Sequence, residues 1–263
     1  MDEIKIITAD QLRIIVDQKG FPELLLAKDY YVTALLYLLK DVPGMYFKGG
    51  TALNKIFLNY ARLSEDIDFT VTEEIEIVKE KIETIIEESV IFKNIAYDRR
   101  LEHFVRLIVH YIDPFSNEGT IFIDLNKKAK LLLVPEKHQV PHFYPGFIPP
   151  FLCTTLAQNE MVAEKMCAAI ERNKPRDHFD LYQIISRGIP IDLNLVSKKV
   201  EKSGSEVDII KVFNNAKKLK RKWDEDLAPL LARDITFQEV MITLAKHFHL
   251  KEEKEMRKKQ TKP

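Results

Sequence analysis

The chain has 263 residues, of which 46% are hydrophobic and 30% are charged, a balance typical of a globular protein that is long enough for one large domain or two modest ones. Lys and Arg together number 40, as do Asp and Glu, so the formal net charge of zero gives no sign of a nucleic-acid partner, although it can hide a local basic face. The acidic start does not resemble a signal peptide and the longest apolar runs are too short to span a bilayer, so we expect no membrane association.

The first half of the chain predicts a small α/β sheet packed by helices. Helical spacing of apolar residues, bounded by glycines and prolines, predicts helices over residues 9–20, 22–41, 51–62 and 73–90. Alternating or short aromatic runs predict strands over residues 45–48, 66–71, 102–113 and 119–126.

The second half of the chain predicts a helical domain. Four of the 12 prolines fall within residues 138–151, so we place a domain boundary there and predict an α/β domain over 1–148 and a helical domain over 149–263. Helices are predicted over residues 155–172, 176–187, 193–203, 206–223 and 236–249. Cys153 and Cys167 lie among apolar neighbours and outside any metal-binding spacing, which favours a reducing, cytoplasmic location.

A glycine turn stands where the first predicted strand gives way to a helix. Gly49 and Gly50 would let the backbone approach a ligand closely, and Thr51 begins the helix, whose first N–H groups have no partner within it. These features suit a phosphate group. A plain tight turn with Thr51 as the N-cap explains the same residues.

Two aspartates follow on the next predicted strand. Asp66 and Asp68 are two residues apart, so their side chains point to one face and would repel each other unless a cation lies between them. Carboxylate oxygens suit Mg²⁺ or Mn²⁺, and Asp124, which follows the apolar run 121–123 on a later strand, is a candidate third metal ligand. Solvated acids at strand ends are the alternative for all three.

The segment "FKGGTALNKIF…RLSEDIDF" resembles the signature of the AbiEii/AbiGii-type nucleotidyltransferases, toxins of type IV toxin–antitoxin and abortive-infection systems that are related to the MenT toxins. They belong to the DNA polymerase β-like nucleotidyltransferase superfamily. The resemblance implies an α+β fold with a small mixed sheet flanked by helices and followed by a helical domain. It also implies an NTP substrate, a cognate antitoxin and an acceptor that is often the tRNA 3′ end.

A second block supports this resemblance. "EMVAEKMCAAIERNKPRDHFDLYQI", residues 160–184, is similar to the family's helical motif, which implies that Lys165 and Asp180 are the functional lysine and aspartate. Lys165 and Arg172 are seven residues apart and would share one helix face, where a lysine among apolar neighbours would seek an anion such as a triphosphate. Snorkelling of Lys165 to solvent, and helix capping by Asp177 with Asp180 in the first turn, are the alternatives.

The expected function is metal-dependent transfer of an NMP from an NTP to a hydroxyl. Asp66, Asp68, Lys165 and Asp180 are the candidate catalytic residues, and Arg62 and Ser64 join the glycine turn and Arg172 as candidate nucleotide contacts. The basic stretch 214–223 is compatible with RNA binding or with an ordinary solvated helix face. Transfer to a protein, or a catalytically inactive binding partner that kept the fold, are the alternative functions.

Overall fold

The computed structural model describes residues 4–127, 131–201 and 207–260. The chain divides into two compact units, Met1–Gln158 and Asn159–Pro263. The domain boundary between residues 148 and 149 stays a prediction. The two compact units meet later in the chain, after Gln158, which follows the last strand of the sheet. No helix within the described ranges has the length and apolar character needed to traverse a bilayer.

One mixed sheet organises the first unit and confirms the predicted α/β class. Its seven described strands lie in the order β3-β4-β5-β2-β1-β7-β6, with β2 parallel to β5, β1 parallel to β7 and the other neighbours antiparallel. The strands are β1 Met45–Lys48, β2 Ile67–Val71, β3 Phe92–Leu101, β4 Phe104–Ile112, β5 Glu118–Asn126, β6 Glu136–Gln139 and β7 Leu152–Thr155.

Strands β3, β6 and β7 were not predicted from the sequence. β3 lies at an edge of the sheet with mostly exposed side chains, and its two register shifts against β4 interrupt the alternation that marks a half-buried strand. β6 and β7 are only four residues long. The helix predicted from residue 155 begins instead at Gln158, because β7 occupies Leu152–Thr155.

Helices cover the sheet of the first unit, and one of them is irregular. The regular helices are α1 Ala9–Lys19, α2 Glu23–Leu39, α3 Gly49–Ala52 and α4 Ile75–Glu87. α3 continues as one turn of π-helix over Leu53–Phe57, a form that is frequent at functional sites. The helix predicted over residues 51–62 therefore ends early, because Asn59 and Tyr60 have positive φ angles of 46° and 54°.

A buried polar cluster holds this π-helical turn against α2. The Nζ of Lys55 lies 2.6 Å from an Asp29 carboxylate oxygen and donates to Thr33 Oγ1 and to the Tyr60 hydroxyl at 3.0 and 2.9 Å. The Tyr144 hydroxyl donates to the second oxygen of Asp29 at 3.1 Å. Burial lowers the pKa of Lys55 and raises the pKa values of Tyr60 and Tyr144. The segment that follows the glycine turn is thus anchored inside the core.

The second unit is helical throughout its described residues. Its helices are α5 Gln158–Glu171, α6 Pro175–Ser186, α7 Leu193–Glu201, α8 Ala216–Asp226, α9 Phe237–His247 and α10 Leu250–Gln260, with 3₁₀ turns at Ile209–Phe213 and Ala228–Leu230. The single helix predicted over 206–223 is interrupted because Asn215 adopts a left-handed φ of 59°. Residues 203 and 206, where two predicted helix ends fall, lie outside the described ranges.

Candidate active site

The two glycines of the turn make room for two different side chains. Gly49 has a φ of 79°, which a residue with a side chain rarely adopts, and a Cβ there would lie 2.2 Å from an Asp68 carboxylate oxygen. A Cβ on Gly50 would lie 2.7 Å from Nη2 of Arg62 and 3.7 Å from the Ser64 hydroxyl. The turn therefore brings an acid, a guanidinium and a hydroxyl close to one stretch of backbone.

Hydrogen bonds hold the turn to the segment that precedes β2. Thr51 is buried, and its hydroxyl donates to the backbone carbonyl of Asp66. Asn54 donates to the Gly50 carbonyl at 3.0 Å and accepts from the Arg62 backbone N–H at 3.2 Å. Arg62 is itself buried, and its Nη1 donates to the Leu63 carbonyl at 2.9 Å. These bonds fix the glycine turn relative to the aspartates.

Two of the three predicted metal ligands, Asp68 and Asp124, lie on the adjacent strands β2 and β5. Asp66 immediately precedes β2, and Asp68 is the second residue of that strand. In the register of the sheet, Asp68 faces Lys48 of β1 on one side and Asp124 of β5 on the other. Residues at matching positions on neighbouring strands point to the same face. The structure thus brings Asp68 and Asp124 side by side.

Arg106 on β4 is the register partner of Asp124 and lies next to the two acids. Its Nε and Nη2 each donate to one Asp124 oxygen at 2.7 Å, and its Nη1 lies 4.0 Å from an oxygen of Asp98. The hydrogen bonds to Asp124, with the nearby Asp66 and Asp98 charges, raise the pKa of Arg106 above its usual value. The side of the sheet that carries the acids is therefore partly neutralised by one guanidinium.

Asp66 and Asp68 have the chemistry that a divalent metal requires. Asp68 lies on β2 and Asp66 immediately precedes it, and because Gly49 has no Cβ, the Asp68 carboxylate can lie against the turn. Asp124 would supply a further oxygen only by giving up one of its two bonds to Arg106. Among the described residues, no group of three or more His, Cys, Asp or Glu side chains is arranged to hold a metal ion.

A buried ionic cluster gathers the predicted functional residues of the second unit. The Nζ of Lys165 on α5 lies 2.8 Å from an Asp180 oxygen and 3.0 Å from an Asp177 oxygen, both on α6. Arg172 donates to both oxygens of Asp177 at 2.8 and 2.9 Å. Lys165 is 6% exposed and Asp180 is fully buried. Lys165 and Arg172 thus share a face and meet at Asp177, which the sequence did not place among the functional residues.

Asp177 is an anchor of this cluster and not a helix cap. α6 begins at Pro175 with Lys174 as its N-cap, so the alternative interpretation of Asp177 as the capping residue is wrong. Burial alone would raise the pKa of Asp177, but the charges and hydrogen bonds of Lys165 and Arg172 hold it well below its usual value. Asp177 therefore stays ionised and keeps the lysine and the arginine in place.

Comparison with known proteins assigns the family. The model of the nucleotidyl transferase AbiEii toxin of type IV toxin–antitoxin systems matches residues 34–243, which is most of the chain. The chain belongs to the AbiEii nucleotidyltransferase toxin family. It is therefore a nucleotidyltransferase, and membership implies an NTP substrate and an antitoxin partner. No curated protein sequence matches the chain.

Solved structures share the fold of this AbiEii-family chain. MenT4, a nucleotidyltransferase toxin from Mycobacterium tuberculosis H37Rv, superposes with a TM-score of 0.69 at 20% identity, covering 92% of this chain and 88% of its own. JHP933 from Helicobacter pylori superposes with a TM-score of 0.61 at 22% identity, covering 91% of this chain and 98% of its own. At these identities the likeness describes the fold.

Three residues of this AbiEii-family site were missed in the sequence. Arg106 lies on an alternating strand, and only the register with Asp124 reveals its place. Asn54 lies within a helical pattern that carries no sign of its hydrogen bonds with Gly50 and Arg62. Asp177 stands next to Arg176 and three residues before Asp180, so its spacing alone suggests a position in the first helical turn. The contacts of Arg106 with Asp124 and of Asp177 with Lys165 join different elements, which local sequence patterns do not reveal.

Proposed function

We propose that this chain transfers an NMP from an NTP to a hydroxyl of an RNA acceptor, most simply the 3′ end of tRNA. The observation that carries the proposal is the relation between Gly49 and Asp68. A glycine with a left-handed φ lies against the carboxylate, so the turn that would contact phosphate and the acid that would hold a metal ion are neighbours. Membership of the AbiEii family supports the reaction class.

The glycine turn is proposed to hold the triphosphate. Gly49 and Gly50 allow the phosphates to approach the backbone N–H groups, and Arg62 and Ser64 lie close enough to Gly50 to serve the same site. The hydroxyl of Thr51 is already bonded to Asp66, so its proposed contribution to binding is its backbone N–H. Buried Arg62 would supply a fixed positive charge beside the phosphates.

Asp66 and Asp68 are proposed to hold Mg²⁺ or Mn²⁺, with Asp124 as a third carboxylate on the same face of the sheet. Such an ion, when bound, would neutralise phosphate charge and favour ionisation of the attacking hydroxyl. The protein's own part is to keep the carboxylates in place through the strand register and the bond from Thr51 to the backbone of Asp66.

The second unit supplies three further residues that we propose for nucleotide binding, which are Lys165, Arg172 and Asp180. Lys165 would balance the triphosphate charge, and Asp180 would orient its ammonium group through the 2.8 Å ion pair. Because Arg172 is held by Asp177 and remains about half exposed, its guanidinium would add charge at a fixed position.

The reaction would be an in-line displacement at the α-phosphorus. The acceptor hydroxyl loses its proton to solvent and forms the new P–O bond, while the bond to the leaving pyrophosphate breaks. Negative charge spreads over the phosphoryl oxygens in the transition state, where a fixed cation such as Arg62 would act most strongly. We further propose that the protein acts in the cytoplasm, where both tRNA and a cognate antitoxin would be available.

A labelling assay tests this function directly. Purified protein is incubated with total tRNA, Mg²⁺ or Mn²⁺ and each of the four α-³²P NTPs in turn, beside the Asp68→Ala variant and a sample without metal. We expect label on tRNA with one or more nucleotides, and none with Asp68→Ala or after metal removal. Label on added protein substrates, with none on tRNA, would assign a protein acceptor. No transfer to either acceptor, with the antitoxin absent and the fold intact, would overturn the proposal.

A further inference from the structure

A pocket in the second unit has the charge of an anion site. It has a volume of about 300 Å³ and lies among the end of α5, the 3₁₀ turn before α8 and the start of α8. Three cationic side chains, Arg172, Lys211 and Lys218, line it against one acid, Glu171. Within the part of the chain that the structure describes, neither Lys211 nor Lys218 forms an ion pair. Because Arg172 is paired with Asp177, the uncompensated positive charge of this pocket comes from the two lysines.

Two asparagines that line the pocket have left-handed backbone conformations, which right-handed helices do not contain. Asn173 and Asn215 both adopt left-handed φ angles, of 53° and 59°. The side-chain amide of Asn173 donates to the Lys211 carbonyl at 2.8 Å, which ties the end of α5 to the turn before α8. Asn215 is the N-cap of α8 but makes no side-chain capping bond. The first N–H groups of α8 therefore have no side-chain acceptor from the N-cap residue.

The charges along α8 run against the helix dipole. Lys217 and Lys218 occupy the first turn, where acids are favoured, while the last turn carries Asp224, Glu225 and Asp226. This order costs helix stability, and a local arrangement that opposes stability is expected where a site requires it. An anion bound at the start of α8 would reverse the cost, because it would meet the positive end of the dipole and the lysines together.

The pocket opens onto a longer basic surface. Leu219 and Trp223 face the core of the unit, so the opposite side of α8 is exposed. The first part of this face carries Lys217, Lys218 and Arg221, and its last turn carries Asp224 and Glu225. Cations three and four residues apart on a helix lie about 5–6 Å from one another, close enough to contact successive phosphates. A polyanion fits this line of cations better than a single small anion does.

We propose that this pocket and the exposed face of α8 bind the phosphate backbone of the RNA acceptor, with one phosphate seated at Lys211 and Lys218. The identity of the polyanion rests on the proposed function, whereas the charge and shape of the site do not. Arg172 lines the pocket and also bonds Asp177, the partner of Lys165. RNA bound here would therefore lie beside the ionic cluster that holds the proposed functional lysine.

The test is a titration of a fluorescently labelled tRNA transcript by anisotropy at several KCl concentrations. It compares the wild type with Lys211→Gln, Lys218→Gln and the double variant. Lys246→Gln, which removes an exposed charge from α9 of the same unit, is the matched control. We expect each pocket variant to flatten the slope of log K against log [KCl] by roughly 1, and the double variant by about twice that. The control should retain the wild-type slope.

The outcomes separate this site from the proposed function. Slopes and affinities of the pocket variants equal to those of Lys246→Gln, or a wild type that does not bind tRNA, would overturn the site. Loss of tRNA binding in the double variant supports the site, whether or not the wild type transfers a nucleotide. Absence of nucleotide transfer by the wild type would count against the proposed function alone. Asp68→Ala should bind tRNA like the wild type while losing transfer, since it leaves this surface untouched.

Discussion

Arg106 and Asp124 face each other across β4 and β5 and are joined by two parallel hydrogen bonds of 2.7 Å. Bidentate pairs of this kind fix the orientation of the carboxylate as well as its charge. Asp124 is therefore held beside Asp68 with both of its oxygens engaged. Its share in metal binding depends on whether one of these bonds opens when a nucleotide arrives.

Asp124→Asn is expected to weaken Mn²⁺ binding less than Asp68→Asn does. Mutation of a residue that contacts the metal ligands, but not the metal itself, typically lowers metal affinity by about 10-fold to 100-fold. For Asp124→Asn we expect a loss at the lower end of this range. Calorimetric titration of Mn²⁺ in the presence of a non-hydrolysable NTP analogue measures both variants. Arg106→Gln should match Asp124→Asn if the pair acts as a unit. Equal losses in Asp124→Asn and Asp68→Asn would instead make Asp124 a direct ligand.

Gly49→Ala is expected to abolish most of the transfer activity. Its left-handed φ costs alanine roughly 1–2 kcal/mol, and the new Cβ would lie 2.2 Å from the Asp68 carboxylate. Displacing a reacting group by about 1 Å can cost roughly 100-fold in rate. Steady-state transfer rates and thermal unfolding measure both effects. Gly146→Ala is the control, since a Cβ there meets nothing within 4 Å. Wild-type activity in Gly49→Ala would show that the glycine turn is not part of the active site.

Local sequence patterns were enough to predict some elements of the sheet and not others. The strands predicted over 45–48 and 66–71 follow from local patterns, and the structure has neighbouring strands at Met45–Lys48 and Ile67–Val71. β3 escaped because an exposed edge strand with register shifts keeps no regular alternation. Short strands such as β7 offer too few residues for a period to emerge.

Pairings between distant residues were beyond the reach of sequence patterns. The bond between Arg106 and Asp124 exists because β4 and β5 adopt one register, and a shift by one residue would put Arg106 on the other face. The buried pair of Lys55 and Asp29 likewise joins residues 26 positions apart. Helical spacing predicted that Lys165 and Arg172 share a face, but not that Asp177 would bridge them.

Asp177→Asn and Asp180→Asn are expected to fail in different ways. Asp177 contacts both Lys165 and Arg172, so its loss should lower the free energy of unfolding. Because Lys165 keeps Asp180 as a partner and Arg172 is about half exposed, the loss should lie below the roughly 3–5 kcal/mol of a fully broken buried ion pair. Asp180→Asn should mainly lower kcat, by roughly 100-fold, if this carboxylate orients Lys165 for the reaction. Urea unfolding and transfer kinetics on the same preparations separate the two effects. A large kcat loss with unchanged stability in Asp177→Asn would reverse these roles.

The pH dependence of unfolding gives an independent check on Asp177. Its pKa in the folded protein is held below the unfolded value of about 3.9, so its stabilising effect is complete above that pH and is lost as the pH falls through the folded pKa. The wild type should therefore lose stability as the pH falls below about 4, and Asp177→Asn should show a shallower slope over the same interval. Identical slopes for the wild type and Asp177→Asn would mean that other carboxylates account for the loss of stability at low pH.

Lys55→Met is expected to destabilise the first unit and to disturb the glycine turn. The substitution leaves Asp29 as a buried carboxylate without its cation, at a cost of about 3–5 kcal/mol in the free energy of unfolding. The double variant Lys55→Met/Asp29→Leu removes both charges, and should recover much of that stability because apolar replacements of buried ion pairs are often neutral.

Activity of the double variant decides what the buried pair does for the site. Lys55 lies in the π-helical turn directly after the glycines, and its ammonium is the link to α2. If that link positions the turn, the double variant should be stable yet still bind NTP several-fold more weakly, seen as a raised KM for the nucleotide at nearly unchanged kcat. Wild-type KM in a stable double variant would show that the pair serves folding alone, and that packing of the turn is sufficient to place Gly49 against Asp68.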